Sequence, residues 1–131
     1  MTIKRFTEIK AWQAARELVR AVYLHSSEGA VAKDFAFRDQ IRRAAISGMS
    51  NIAEGFDRGT DRDFAHFLDI SRASISEVKS LLFVGLDVQY FTPLIFDQLT
   101  QQCEQSQALI AAFQGYLRGT RIRELENSDW Q

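Results

Sequence analysis

The sequence predicts an all-α fold, an antiparallel up-down-up-down four-helix bundle, and three observations carry that prediction. Apolar residues recur at steps of three, four and seven along most of the chain, the spacing of one helical face. Only one proline and seven glycines occur in 131 residues, too few to punctuate a strand-and-turn fold. No alternating apolar–polar stretch is long enough to build a sheet. The length suits one domain, with residues 1–119 as the bundle and residues 120–131 as a polar, flexible tail that holds a lone Trp130.

The first helix is expected to start after Thr7 as N-cap, with Glu8 in the first turn near the positive end of the helix dipole. Ile9, Trp12, Ala15, Val19, Val22 and Tyr23 form its apolar face. Ser26 to Lys33 reads as a connection. The second helix should begin at Asp34, a competent cap, and run to Phe56, with Gly55 and Gly59 at its end, where a left-handed residue costs least. Its apolar row is Ile41, Ala45, Gly48, Ile52 and Phe56.

The third helix is capped by Thr60, with Asp63 three residues on, and presents Phe64, Phe67, Leu68, Ser71, Ser74, Ile75, Val78, Leu81, Leu82 and Gly85 before ending near Gln89. Thr92-Pro93 is the sharpest boundary: a Thr cap followed by proline at the first helical position, where the missing N–H is not needed. The fourth helix then runs to Arg118 and closes at Gly119. Its face is Ile95, Leu99, Cys103, Ser106, Ile110, Phe113 and Leu117.

Composition narrows the function classes. Apolar content of 46% and charged content of 25% fit a soluble globular chain. The net charge of −1 supplies no global field for nucleic acid. The charge is uneven, however. Residues 1–62 carry eleven Lys and Arg against eight Asp and Glu, a net of +3, and residues 63–131 carry five against nine, a net of −4. Cys103 is the single cysteine, so neither an internal disulfide nor a thiolate cluster can form in one chain. The first residues lack the apolar core of a signal peptide, and the longest apolar run, Leu81 to Leu86, is far short of the roughly 20 residues that span a bilayer. A cytoplasmic protein without a membrane partner is expected.

Catalytic chemistry finds little support. A di-metal carboxylate bundle needs Glu-x-x-His on two helices, and His25 and His66 are the only histidines, preceded three residues earlier by Val22 and Asp63. Both are read as ordinary surface or loop residues. Cys103 lies on an apolar stripe and reads as a small core hydrophobe. Ser47, Ser71, Ser74 and Ser106 read as small hydroxyls that let helices approach and bond back to their own carbonyls. Gly55 to Gly59 lacks the spacing of a phosphate loop. No cofactor, no metal and no catalytic residue is expected.

Two polar patterns remain. Gln40, Ser47, Asn51, Glu54 and Arg58 form a row beside the apolar face of the second helix. With Glu77 they either fix helix register through a satisfied network or touch a ligand or partner. Glu54 is expected to answer Arg43, Arg58 or a neighbouring helix. The arginines also have two readings. Arg16 and Arg20 stand one turn apart, as do Arg38 and Arg42, and Arg43 points elsewhere. They form either a solvated face or phosphate contacts, and no aromatic residues are interleaved with them in the linear pattern. Ile46, Met49, Phe35, Phe37 and Phe91 add apolar bulk that a thin bundle should leave exposed, which marks an assembly surface.

Arg43-Ala-Ala-x-Ser47, Asn51-Ile-Ala-Glu-Gly55 with Arg58, Phe64-x-x-Phe67-Leu68 and Ser74-x-x-Glu77 together resemble the intervening-sequence protein family, small bacterial four-helix bundles encoded in insertions of large-subunit ribosomal RNA genes. The resemblance covers about residues 6 to 118. It departs from the family pattern at Ser47-Gly48-Met49, where Ser-Ile-Pro is frequent, and at Ser71-Arg72-Ala73-Ser74, where Ala-x-Gly-Ser is frequent. The resemblance implies a structural polar motif of Ser47, Asn51, Glu54, Arg58, Ser74 and Glu77. It also implies a homo-oligomer, with a ring of five as the characteristic state. A related protein, the accessory variability determinant of diversity-generating retroelements, is a basic pentameric barrel that binds nucleic acid and reverse transcriptase. The slightly acidic balance here sets this chain apart from that barrel. The expected role is non-enzymatic, acting through contacts with itself and with RNA or another nucleic-acid-associated protein, Arg16, Arg20, Arg38, Arg42 and Arg43 being the phosphate contacts. A pure protein-interaction scaffold is the alternative.

Overall fold

A computed structural model describes the backbone of residues 2–129 and the side chains of residues 2–119. Five α-helices follow one 3₁₀ turn, Phe6–Glu8: α1 Lys10–Leu24, α2 Gly29–Lys33, α3 Phe35–Phe56, α4 Asp61–Asp87 and α5 Pro93–Asp129. No strand occurs among the described residues. The four long helices alternate in direction, and each packs against two neighbours in the order α1, α3, α4, α5 and back to α1. This is the antiparallel bundle that the periodicity predicts.

Three caps form where the sequence places them. The Asp34 carboxylate accepts from Phe37 N at 3.2 Å, Thr60 Oγ1 from Asp63 N at 3.2 Å, and Thr92 Oγ1 from Ile95 N at 3.2 Å. The start of α1 differs from expectation. Glu8 reaches back to accept from Lys4 N at 2.8 Å and Arg5 N at 3.2 Å, which stabilises the 3₁₀ turn. Those two bonds hold its carboxyl below the ordinary carboxylate range. Thr7 offers its carbonyl to the Gln13 side chain instead of capping, and Ile9, fully buried, precedes α1 without side-chain help.

The connection after α1 also holds the short helix α2, anchored by buried Val31. The left-handed positions are Gly29 and Gln89, not the glycines that end α3. Gly55 is helical and buried. Gln89 turns the chain so that Tyr90 N and Phe91 N both donate to the Gly85 carbonyl, at 2.7 and 3.2 Å. Finally, α5 continues through Gly119 to Asp129. A helical glycine costs about 1 kcal/mol relative to alanine and does not by itself stop a helix. No proline follows, and Arg121, Arg123, Glu124, Leu125 and Glu126 are all good helix formers. The expected tail is thus helical as far as Asp129, and Trp130 lies outside the described residues.

The core runs the length of the bundle from Ile9, Leu18 and Val22 of the first layer, through Ile41, Ile52, Phe64, Leu68, Ile75 and Leu82, to Leu99, Cys103, Ile110 and Leu117. Ala11 and Leu18 take buried places on α1, while Tyr23 turns outward. Phe37 and Phe91 belong to the core, at 7% and 5% exposure, and not to an exposed end. Their rings meet at 6.2 Å over the close approach of Gly85. Ile46 and Met49 are half-buried. Tyr90 stacks beside Phe37 and its hydroxyl donates to Asp34 Oδ2 at 2.7 Å. The α4–α5 turn is thereby tied to the cap of α3.

Two outcomes follow from this packing. A Cβ on Gly55 would sit 2.7 Å from the Phe67 Cβ and 2.8 Å from the Phe64 ring, groups that cannot move without α4, so Gly55→Ala should destabilise by about 1–3 kcal/mol. Gly115 faces open space within a helix, so Gly115→Ala should stabilise by roughly 0.5–1 kcal/mol. Urea titration of both variants measures the contrast, and equal effects would refute it. The second outcome concerns Asp34, held below its ordinary range chiefly by the Tyr90 hydroxyl and then by Phe37 N–H. Tyr90 is pushed up, chiefly by the same bond. The bond contributes fully above the ordinary Asp value, near about pH 4, and is lost as pH falls below it through Asp34's lowered value. On the alkaline side it is lost as pH rises through Tyr90's raised value, above about 10. Tyr90→Phe should lower the melting temperature at neutral pH and flatten the acid limb; an unchanged acid limb by circular dichroism would show that the bond contributes nothing.

Candidate functional site

The polar row of α3 lies along its crossing with α4. Ser47 Oγ and Ser74 Oγ meet at 2.8 Å. Asn51 Nδ2 donates to the Ser47 carbonyl at 2.8 Å and to Ser47 Oγ at 3.0 Å. Beside this pair, fully buried Ser71 donates across the interface to the Gly48 carbonyl, where the sequence suggested a bond within its own helix. A Cβ on Gly48 would lie 2.8 Å from Ile75 Cγ1, so the absence of a side chain there permits the approach. Ser47, Asn51 and Ser74 therefore form one cluster that fixes the register of two helices. Glu54 and Arg58 extend the row as an exposed pair at 3.5 Å, with the Arg58 guanidinium 4.6 Å from the Phe67 ring centroid. Such a pair contributes little. Glu77 is exposed one turn beyond Ser74 and joins none of these bonds.

The five arginines divide into two groups. Arg38 and Arg42 work within the fold. Arg42 Nε donates to Ser26 Oγ at 2.9 Å and its Nη2 to the Ser26 carbonyl at 3.2 Å, which clamps the end of α1 to α3. Arg38 donates to Asp39 at 3.0 Å and to the Ala32 carbonyl at 3.1 Å. Arg16, Arg20 and Arg43 are exposed; Arg20 has an exposed partner in Glu17 at 3.5 Å. Aromatic interleaving, absent from the linear pattern, arises in three dimensions. Arg42 sits 4.3 Å from the Tyr23 centroid, Arg38 4.8 Å from Phe35 and Arg16 5.7 Å from Trp12. The edge formed by α1 and α3 is thus a stripe of guanidinium–ring contacts.

A third set of polar contacts was not singled out in the sequence. On the α4–α5 flank, Gln107 Nε2 donates to Ser76 Oγ at 2.8 Å and to the Arg72 carbonyl at 3.2 Å. Gln114 Nε2 donates to Asp69 Oδ1 at 2.8 Å while its Oε1 accepts from Arg72 at 3.0 Å. An open cavity of about 210 Å³ lies here, lined by Ala65, Asp69, Arg72, Gln114 and Arg118. The seven-residue spacing of Gln107 and Gln114, flanking the apolar stripe of α5, was the available signal.

Cys103 has no exposed surface, and burial pushes its thiol up to about 12, so it packs as a small hydrophobe. His25 is half-buried, and His66 is exposed with its ring edge-on to Phe67. Ser106 Oγ is buried without a hydrogen-bond partner among the described residues. No group of three His, Cys, Asp or Glu among the described residues is arranged to hold a metal. No helix there is long and apolar enough to cross a membrane.

Comparison with known proteins gives a family and a fold. A family profile described as "23S rRNA-intervening sequence protein" matches residues 7–112. A crystal structure of a protein of unknown function from the S23 ribosomal protein family of Bacteroides thetaiotaomicron superposes with a TM-score of 0.73 at 22% identity, covering 80% of this chain and 95% of that one. That likeness shows the shared bundle fold. No curated protein matches the chain.

The seam between α3 and α4 separates two classes of substitution. Ser71→Ala removes a buried donor and should cost about 1 kcal/mol, while Glu54→Leu touches only an exposed pair and should change stability by less than about 0.5 kcal/mol. Asn51→Leu should fall with Ser71→Ala. Chemical denaturation ranks the three, and a Glu54→Leu loss as large as that of Ser71→Ala would contradict the assignment.

Proposed function

The chain belongs to the 23S rRNA-intervening sequence protein family, and from that membership and the surfaces above we propose that it is a non-enzymatic cytoplasmic protein that assembles with copies of itself and acts through contact with RNA. What supports the RNA contact is the exposure of Arg16 and Arg20 on α1 and of Arg43 on α3. An exposed guanidinium binds phosphate bidentately. Three per chain are a small patch, but several copies in one assembly, five by the family resemblance, multiply it through avidity. The ring-stacked arginines Arg38 and Arg42 add faces on which unpaired bases can stack.

A pure protein-interaction scaffold is the second reading. It is favoured by Arg38 and Arg42, whose guanidinium groups are already engaged by Ala32, Asp39 and Ser26. The two readings part on salt dependence. With three phosphates neutralised by each engaged chain, the logarithm of the binding constant for structured RNA should fall against the logarithm of salt with a slope of about −2 to −3 for every chain engaged. Arg16→Glu, Arg20→Glu and Arg43→Glu combined should abolish binding without unfolding the bundle. Absence of RNA binding at low salt by fluorescence anisotropy leaves the scaffold reading.

A further inference from the structure

The cleft on the α4–α5 flank brings two guanidinium groups, those of Arg72 and Arg118, to one cavity of about 210 Å³. Its walls come from successive turns of two helices. Ala65, Asp69 and Arg72 follow one another at helical steps along α4, and Gln114 and Arg118 stand one turn apart on α5. Gln114 fixes the arrangement. It is 7% exposed, and both ends of its carboxamide are engaged. Nε2 donates to Asp69 Oδ1 at 2.8 Å and to the Ala65 carbonyl at 3.3 Å, while Oε1 accepts from Arg72 Nη1 at 3.0 Å. The two bonds at Nε2 set the orientation of the amide, and the amide in turn sets one nitrogen of Arg72.

The rest of the donor set is free. A guanidinium carries several N–H donors in a planar fork, and the Arg72 guanidinium makes one bond, to a neutral oxygen. Arg118 is exposed and has no hydrogen-bond or ion-pair partner among the described residues. Arg20, Arg38 and Arg58 are each answered by a carboxylate, Glu17, Asp39 and Glu54, whereas neither arginine of this cleft is. The lining carries two cations, Arg72 and Arg118, against one anion, Asp69, a net of +1. Before Arg118, α5 has no Lys, Arg or His, so positive charge on that helix first appears at the cleft.

We propose that this cleft is a phosphate site, in which Arg72 from α4 and Arg118 from α5 hold the oxygens of one phosphate group and Gln114 positions Arg72. A carboxylate fills one guanidinium fork. The oxygens of a tetrahedral phosphate point in enough directions to serve two. Asp69 limits the charge, since a net of +1 matches a singly charged phosphate and opposes a second negative charge. The small volume suits the group itself, with the remainder of the ligand in solvent. An RNA backbone and a small phosphate compound present this same group. The site uses none of Arg16, Arg20 and Arg43, so it does not rest on the RNA contact put forward above.

The arginine Nε–H signals in the nuclear magnetic resonance spectrum of the isotope-labelled full chain test this. Titration with sodium phosphate, against sodium chloride at equal ionic strength, should move the Arg72 and Arg118 signals and the Gln114 side-chain amide together. The shifts should saturate at about millimolar phosphate. Arg118→Gln, at an exposed position, should weaken the binding about tenfold with an unchanged circular dichroism spectrum, and Arg72→Gln should do the same. Should one variant unfold, the other supplies the comparison. Shifts that do not saturate, that match those of Arg16, Arg20 and Arg43, or that persist at full affinity in the folded variants overturn the site. Acetate binding as tightly as phosphate overturns the choice of phosphate. A short single-stranded RNA separates the two sources. Cleft signals that respond to RNA at lower concentration than to phosphate assign the group to an RNA backbone, and cleft signals that respond to phosphate alone assign it to a small phosphate compound. The RNA contact through Arg16, Arg20 and Arg43 is read from their own signals, so each reading can fail without the other.

Discussion

The bundle depends on the close crossing of α3 and α4. Gly48 lets Ile75 approach to a distance no side chain would permit, and Ser71 donates to the Gly48 carbonyl across that gap. Ser47 and Ser74 meet alongside, with Asn51 bonded to Ser47. Small hydroxyl residues at a crossing bring the backbones together, and the fully buried Ser71 hydroxyl must be satisfied there because water does not reach it. Once the register of α3 on α4 is set, the turn after α4 has only one place to go. Tyr90 reaches Asp34 at the head of α3, and Phe91 covers Gly85 against Phe37. The start of α5, and with it the whole fourth side of the bundle, follows from that docking.

Much of this is legible in the sequence because it is local. Asp34, Thr60 and Thr92 each cap a helix within three residues, and the apolar rows of α3, α4 and α5 repeat over many turns. The misreadings arise where a distant or competing partner decides. Thr7 is a reasonable cap, but Glu8 finds two backbone donors behind it and holds a 3₁₀ turn. The connection before Asp34 is too short to show a period, so one buried valine is enough to wind α2. Gly119 is a weak stop signal that propensity on either side overrides. Phe37 and Phe91 look like surplus apolar bulk until the α4–α5 turn folds over Gly85 and encloses them.

The candidate site was less legible, and for a different reason. The arginines and the polar row can be found by spacing, but spacing does not say what each will meet. Arg42 is claimed by Ser26, sixteen residues away, and by the Tyr23 ring. Ser71 looks the same in sequence as Ser74, yet one crosses to a backbone carbonyl and the other to a hydroxyl. The glutamines of α5 carry no signal in the sequence, because glutamine is ordinary on a helix surface. Their role appears only when α4 lies alongside and offers Ser76, Asp69 and the Arg72 carbonyl.

The uneven charge gains meaning from the same geometry. A net charge of −1 averages over two edges of different character. Arg38, paired with Asp39, and Arg42 are held over aromatic rings on one edge, while the last turn of α4 and most of α5 contain no cation. Within the single chain these edges face away from each other, since α1 and α4 sit at diagonal corners of the bundle. Their opposite charges therefore contribute little to intramolecular stability at such separation in water. A polarity that does so little for the folded monomer is better suited to contacts between molecules, where it both orients the approach and disfavours the wrong pairings.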